Sequence, residues 1–150
     1  MTTFKVEDRH GSGPFLPLLR EGLPEWYRSS ESKVNGKQPV TLDEITAFFS
    51  CSIEIGDLLL IGFYEDKKPV GYDIVRPMGG CVEGLQVYVD PEHRGGLFKA
   101  YSDWAVKHFG ALQFTSTMPF WKEKAPEYGF KKVWEVIQSD GTPAVTWRKV

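Results

Sequence analysis

Residues 81–110 read CVEGLQVYVDPEHRGGLFKAYSDWAVKHFG and hold a strand, a turn, a short glycine-bearing loop and a helix. The strand spans Val82 to Val89. Leu85, Val87 and Val89 alternate onto one face with Glu83 on the same parity, while Gln86 and Tyr88 take the other. Asp90-Pro91 turns the chain, His93 to Gly96 form a basic loop, and a helix begins at about Leu97. Tyr101, Trp104, Ala105 and Phe109 recur at spacings of three and four, and Gly110 stops the helix. A strand that feeds straight into a helix presents several unpaired N–H groups together with the positive end of the helix dipole. Arg94 adds a full charge, so the loop is built to receive a phosphate.

Upstream, Asp57 to Tyr64 and Pro69 to Val75 read as strands joined by the charged turn Glu65-Asp66-Lys67-Lys68, and Pro77 to Gly80 is the next break. Thr41-Leu42-Asp43-Glu44 matches a capping box and opens a helix over about Leu42 to Ser50, with Ile45, Phe48 and Phe49 on one face. Leu16, Leu19, Leu23 and Tyr27 keep helical spacing, but Pro24 predicts a bent or divided helix. Before it, Thr3 to Val6 alternates weakly as a first strand, and His10 to Pro14 breaks the chain. The polar stretch Ser29 to Pro39 is a loop on the substrate side. Downstream, Leu112 to Thr115 is a strand, Pro119 opens a helix that Gly129 closes, and Val133 to Ile137 and Ala144 to Trp147 pair about a turn at Asp140-Gly141. The order is strand, two helices, three strands, helix, strand, helix, two strands: an α/β (α+β) chain with a mixed sheet.

The length of 150 residues with 41% hydrophobic content supports one domain, residues 1–150, around a single core. A net charge of -2 argues against a chain that coats nucleic acid. Leu58 to Phe63, the longest apolar run, is too short for a bilayer, and the N-terminus carries no signal pattern; the expectation is a soluble cytoplasmic chain with no membrane partner. Cys51 and Cys81 lack the spacing of a zinc site or a disulfide framework and read as buried thiols. Trp121, Trp134 and Trp147 fit a core, and Lys122, Lys124, Lys131 and Lys132 form a basic cluster that is either solvated or meets a phosphate.

The element order, the run Val89-Asp90-Pro91-Glu92-His93-Arg94-Gly95-Gly96 and the late Tyr128-Gly129-Phe130 resemble the GNAT N-acetyltransferase superfamily. The style of the chain is that of a divergent, phage-type member. The resemblance implies a splayed, mostly antiparallel sheet of about six or seven strands flanked by about four helices. It implies acetyl-CoA between the strand ending at Val89 and the strand at Leu112 to Thr115. The pantetheine arm would bond to backbone at Gln86, Val87, Tyr88 and Val89, and the pyrophosphate to N–H groups of Arg94, Gly95, Gly96, Leu97, Phe98 and Lys99. Glu83 would be the general base for an attacking ammonium; its other reading is a solvated carboxylate or an ion-pair partner.

Two departures from the family pattern bear on function. The loop is one residue short, and Phe98 or Lys99 falls where a small residue normally admits the pyrophosphate; the bulky side chain either closes the site or points into the core. The tyrosine that protonates the leaving thiolate in many members would fall at Ala125. Tyr128 stands beside that position as a replacement acid or a core residue, and His93 and Ser116 are other donors by location alone. Two functions follow. One is an acetyl-CoA-dependent N-acetyltransferase acting on an amine of a small molecule or protein by direct attack. The other is a catalytically silent GNAT-fold binding or structural protein, in a homodimer or a phage assembly. An enzyme predicts an open cleft; a scaffold predicts a filled cleft and an exposed apolar patch.

Overall fold

The computed structural model describes residues 1–7 and 13–150. Most of the break expected at His10 to Pro14 lies outside them. The described elements are β1 (Thr2–Glu7), α1 (Leu16–Arg28), α2 (Leu42–Glu54), β2 (Leu59–Glu65), β3 (Lys68–Met78), β4 (Cys81–Val89), α3 (Leu97–Phe109), β5 (Leu112–Ser116), α4 (Phe120–Glu127), β6 (Lys131–Ile137) and β7 (Pro143–Lys149). The strands form one sheet in the order β1-β2-β3-β4-β5-β7-β6. Every neighbouring pair is antiparallel except β4 and β5.

Each face of the sheet carries its own apolar layer. On one side Phe63, Val75, Val82, Leu112, Phe130 and Trp147 pack with Tyr101 of α3 and with Ala125 of α4. On the other side Phe15, Leu60, Tyr72, Ile74 and Tyr88 pack with Leu23 of α1 and Phe49 of α2. The alternation Ile61/Phe63 and Leu60 in β2 sends side chains to both layers, as an interior strand must.

A β-bulge overrides the simple parity expected of β4. Ile74 faces Gln86 and Val75 faces Gly84, so Leu85 is an extra residue. Across it the strand reverses its faces: Val82 packs with α3, Leu85 and Tyr88 pack with α1 and α2, and Val89 returns to the α3 side. Leu85, Val87 and Val89 therefore do not share one buried face with Glu83.

Helix α1 runs unbroken through Pro24, contrary to the expected division. A proline inside a helix costs about 3 kcal/mol, and here the turns on both sides are pinned. Gly22 and Leu23 are buried on the sheet, and Trp26 meets Phe49 of α2 edge-on with ring centres 5.8 Å apart. Gly22 is required by this approach: a Cβ there would stand 2.8 Å from the Cβ of Tyr88. Gly22→Val is expected to lower stability by about 2 kcal/mol in urea unfolding, within the usual cost of overpacking.

Thr41 caps α2 by accepting the Glu44 N–H at 3.1 Å, but the helix continues to Glu54. Its buried positions are Phe49, Ser52 and Ile53. Phe48 is consequently 50% exposed, and Cys51 is exposed rather than buried, whereas Cys81 is buried. Of the three tryptophans expected in the core only Trp147 is fully there. Trp121 is half-buried, and Trp134 is 66% exposed on β6, whose seven residues are all exposed. No helix among the described residues is long and apolar enough to cross a membrane.

Candidate functional site

The sheet opens between β4 and β5. Val82 faces Leu112, Glu83 faces Gln113 and Gly84 faces Phe114, and there the pairing stops. Beyond the bulge, the edge of Leu85 to Val89 turned away from β3 has no strand partner among the described residues. A cavity of about 420 Å³ fills the gap. Its walls bring together Gln86 to Val89, Arg94 and Phe98 with Phe114 and Thr115 of β5, Trp121 and Tyr128 from the α4 region, and Gly22, Glu25 and Trp26 of α1. Residues from α1, from the strand-loop-helix run of β4 and α3, and from β5 and the α4 region meet at this one opening.

The loop after β4 keeps its anion-binding form. The first backbone bond of α3 runs from the Ala100 N–H to the Gly96 carbonyl at 3.4 Å, which leaves the N–H groups of Leu97, Phe98 and Lys99 ahead of the ladder. Gly96 takes the left-handed conformation at φ 72°, and a Cβ at Gly95 or Gly96 would meet nothing within 4 Å, so the loop surface is open. Phe98 turns into the aromatic layer, with ring centres 5.0 Å from Trp121 and 5.8 Å from Phe114, instead of covering those N–H groups. Lys99 is exposed and pairs with Asp103 at 3.1 Å. Arg94 donates from Nε to the Val89 carbonyl at 2.8 Å, lies over the Tyr88 ring, and reaches Glu25 at 3.3 Å.

The wall opposite is acidic. Glu21 accepts from the Tyr88 hydroxyl at 3.0 Å, and its interaction adds to burial in pushing that hydroxyl's pKa up. Glu31, in the loop after α1, accepts from the Ser116 hydroxyl at 2.9 Å and the Thr117 N–H at 3.0 Å. That links the loop to the end of β5 and closes one side of the cavity. The Ser29 to Pro39 stretch expected on the substrate side thus contributes Ser29 and Glu31 to the lining.

Asp73 of β3 and Gln86 of β4 form the floor at 3% and 2% exposure. Oδ1 of Asp73 and both amide atoms of Gln86 have no hydrogen-bond partner among the described residues. The other oxygen of Asp73 accepts from the Tyr101 hydroxyl at 2.6 Å. Burial pushes the Asp73 carboxyl up to about 7, and the bond from Tyr101 offsets only part of that rise.

Glu83 lies where β4 and β5 are still paired. It holds Arg76 at 3.3 Å and accepts from Gln113 at 3.3 Å, and it is not among the residues that line the cavity. Tyr128 does line it, beside Phe98 and Trp121, while Ala125 is fully buried. Ser116 is occupied by Glu31. In the basic cluster Lys124 pairs with Glu127 and Lys132 with Glu135. Sequence reasoning passed over Asp73, Glu25 and Glu31. Asp73 did leave a signal, as the lone charged residue of Val70-Gly71-Tyr72-Asp73-Ile74-Val75.

No family model and no curated protein matches the sequence. Solved structures do match over the full chain. An acyl-CoA N-acyltransferase from Pseudomonas aeruginosa aligns with a TM-score of 0.65 at 15% identity, covering 100% of both chains. The spermidine/spermine N-acetyltransferase SpeG from Vibrio cholerae aligns at 0.61 and 13%, covering 98% of this chain and 91% of the other. The PaiA N-acetyltransferase from Thermoplasma acidophilum, solved with coenzyme A, aligns at 0.57 and 14%, covering 99% and 98%. A mixed seven-stranded sheet that splays between its fourth and fifth strands, with four helices around it, is the GNAT N-acetyltransferase fold, and this chain has that fold.

Proposed function

We propose that the chain is an acetyl-CoA-dependent N-acetyltransferase that moves an acetyl group to an amine by direct attack within the cavity. The observation that carries this reading is the open splay: a cavity of about 420 Å³ with a free strand edge on one side and a helix N-terminus at its end. The residues fit the cofactor. The backbone groups between Gln86 and Val89 that turn away from β3 would bond the pantetheine amides, the Val89 carbonyl excepted because Arg94 holds it, and Arg94 with the N–H groups of Gly95 to Lys99 would hold the pyrophosphate. Bound there, acetyl-CoA supplies an activated acyl group. The protein's own contribution is to hold donor and amine together, since proximity and orientation account for a large part of such a rate.

The α1 wall favours a cationic acceptor. Glu25 and Glu31 line the opening and Glu21 lies behind Tyr88, with Arg94 as the one cation among the lining residues, a balance that attracts an ammonium. Glu83 serves as base in this reading only through intervening water, because its carboxylate is shared by Arg76 and Gln113.

Calorimetric titration with acetyl-CoA is the direct test. Saturable binding is expected, weakened about tenfold, or about 1.4 kcal/mol, by Arg94→Ala. No binding at millimolar concentration would overturn the reading. It would favour the second one, a binding protein, which has its own support in the exposed apolar residues Trp134, Val136 and Ile137 of edge strand β6.

A further inference from the structure

Acyl transfer leaves a thiolate that must gain a proton, and Ala125 offers none. Two buried polar side chains line the cavity floor, Gln86 and Asp73. Gln86 carries an amide, which does not give up a proton at neutral pH. Asp73 differs: it is a carboxyl group enclosed on an interior strand, in the cavity lining, with one oxygen engaged and the other without a partner.

The two oxygens are not equivalent. Oδ2 receives the Tyr101 hydroxyl, so in the acid form the proton resides on Oδ1, the atom that lacks an acceptor. A buried O–H without an acceptor is costly, and a ligand atom in the cavity would relieve it. Access depends on Gly84. A Cβ there would stand 3.2 Å from Oδ2 and 3.5 Å from Oδ1, so the glycine leaves space between the buried carboxyl and the part of the cavity that Gly84 itself lines.

We propose that Asp73 is the catalytic acid of the transfer, giving its Oδ1 proton to the sulfur of the departing thiol. The assignment rests on the acetyltransferase reading above. The amine lone pair forms the C–N bond, the C–S bond breaks with its electron pair on sulfur, and sulfur takes the proton from Asp73. The nitrogen sheds its surplus proton to water, and uptake of one proton restores the acid form.

The surroundings suit the role. Asp73 faces Ile61 on β2 and Val87 on β4, both uncharged. The titratable group bonded to it is Tyr101 from α3; its chain neighbour Tyr72 points to the opposite face of the sheet, and no cation among the described residues stabilises its carboxylate. Its proton is therefore kept to about pH 7. An ordinary thiol ionises at about 8.5, so the transfer to sulfur runs downhill, the condition under which general acid catalysis is effective.

The test uses the full chain with spermidine as amine and two donors: acetyl-CoA, and an acetyl thioester of 5-thio-2-nitrobenzoate, whose thiol leaves without a proton. Asp73→Asn is expected to lower kcat with acetyl-CoA by about a hundredfold or more, with little change in KM. It should also remove a fall in wild-type kcat as pH rises through about 7, and it should leave the rate with the aryl thioester near wild type. Equal losses with both donors, or none with acetyl-CoA, would overturn the assignment. Carbon NMR of labelled aspartate gives a readout free of turnover. The Asp73 carboxyl signal should shift when coenzyme A is added and not when desulfo-coenzyme A is; equal shifts also overturn it. A wild-type chain that binds no coenzyme A overturns the acetyltransferase reading and this assignment together. An active wild type with an unaffected Asp73→Asn variant overturns the assignment alone.

Discussion

Asp73→Asn is expected to raise the free energy of unfolding at pH 8 by on the order of 3 kcal/mol and to change it little at pH 4. The folded-state pKa of Asp73 is raised to about 7 by burial, while the unfolded chain ionises near the ordinary value of 3.8. Between those values the native protein holds a proton that the unfolded chain has released, so stability falls as pH rises across that window and levels off above it. Asparagine keeps the shape and the bond to Tyr101 but has no charge to bury. Urea unfolding of both proteins at the two pH values measures the difference. An equal effect at both would mean that the enclosure of Asp73 does not oppose its ionisation. A carboxyl that weakens the fold at neutral pH, where Asn would not, is the sort of group that functional sites retain.

The fold was legible because its signals are local. Turn residues, the Thr41 cap and the strand-loop-helix run at residues 81–110 each act within a few positions, and the element order follows from them. Where packing overrides local preference the reading failed. Pro24 did not divide α1 because Gly22 and Leu23 are fastened to the sheet. The bulge at Leu85 follows from unequal lengths of paired backbone in β3 and β4, which no residue type announces. Cys51 faces outward because α2 continues one turn beyond the expected end.

The site was only half legible for a related reason. The loop at Arg94 to Lys99 is contiguous and can be read from its glycines and charge. The rest of the site is assembled from Glu25, Glu31, Asp73 and Tyr128, residues brought together by α1 and the loop after it, β3 and the α4 region. Their meeting is a property of the topology. Glu83 illustrates the converse: its position in the strand pointed to chemistry, but one strand pair short of the splay its neighbours are Arg76 and Gln113.

Phe98→Ala is expected to destabilise the protein by about 3 kcal/mol and to weaken binding of acetyl-CoA rather than improve it. The opposite expectation attaches to the sequence alone, since a bulky residue stands where a small one normally admits a pyrophosphate. The arrangement of the side chain decides between them. Phe98 meets Trp121 at 5.0 Å, Phe114 at 5.8 Å, Phe130 at 6.0 Å, and Tyr101 and Tyr128 at 6.1 Å each, which joins α3, β5 and the α4 region in one aromatic contact. Such ring pairs contribute about 0.5–1.5 kcal/mol each beyond simple burial. Truncation would leave a void beneath the first turn of α3, loosening the N–H groups that form the loop and the wall of the splay together. Thermal unfolding and calorimetry on the same preparation separate the alternatives. A variant as stable as the parent that binds acetyl-CoA more tightly would mean that Phe98 obstructs the loop; joint loss of stability and affinity means that it holds the cleft in shape.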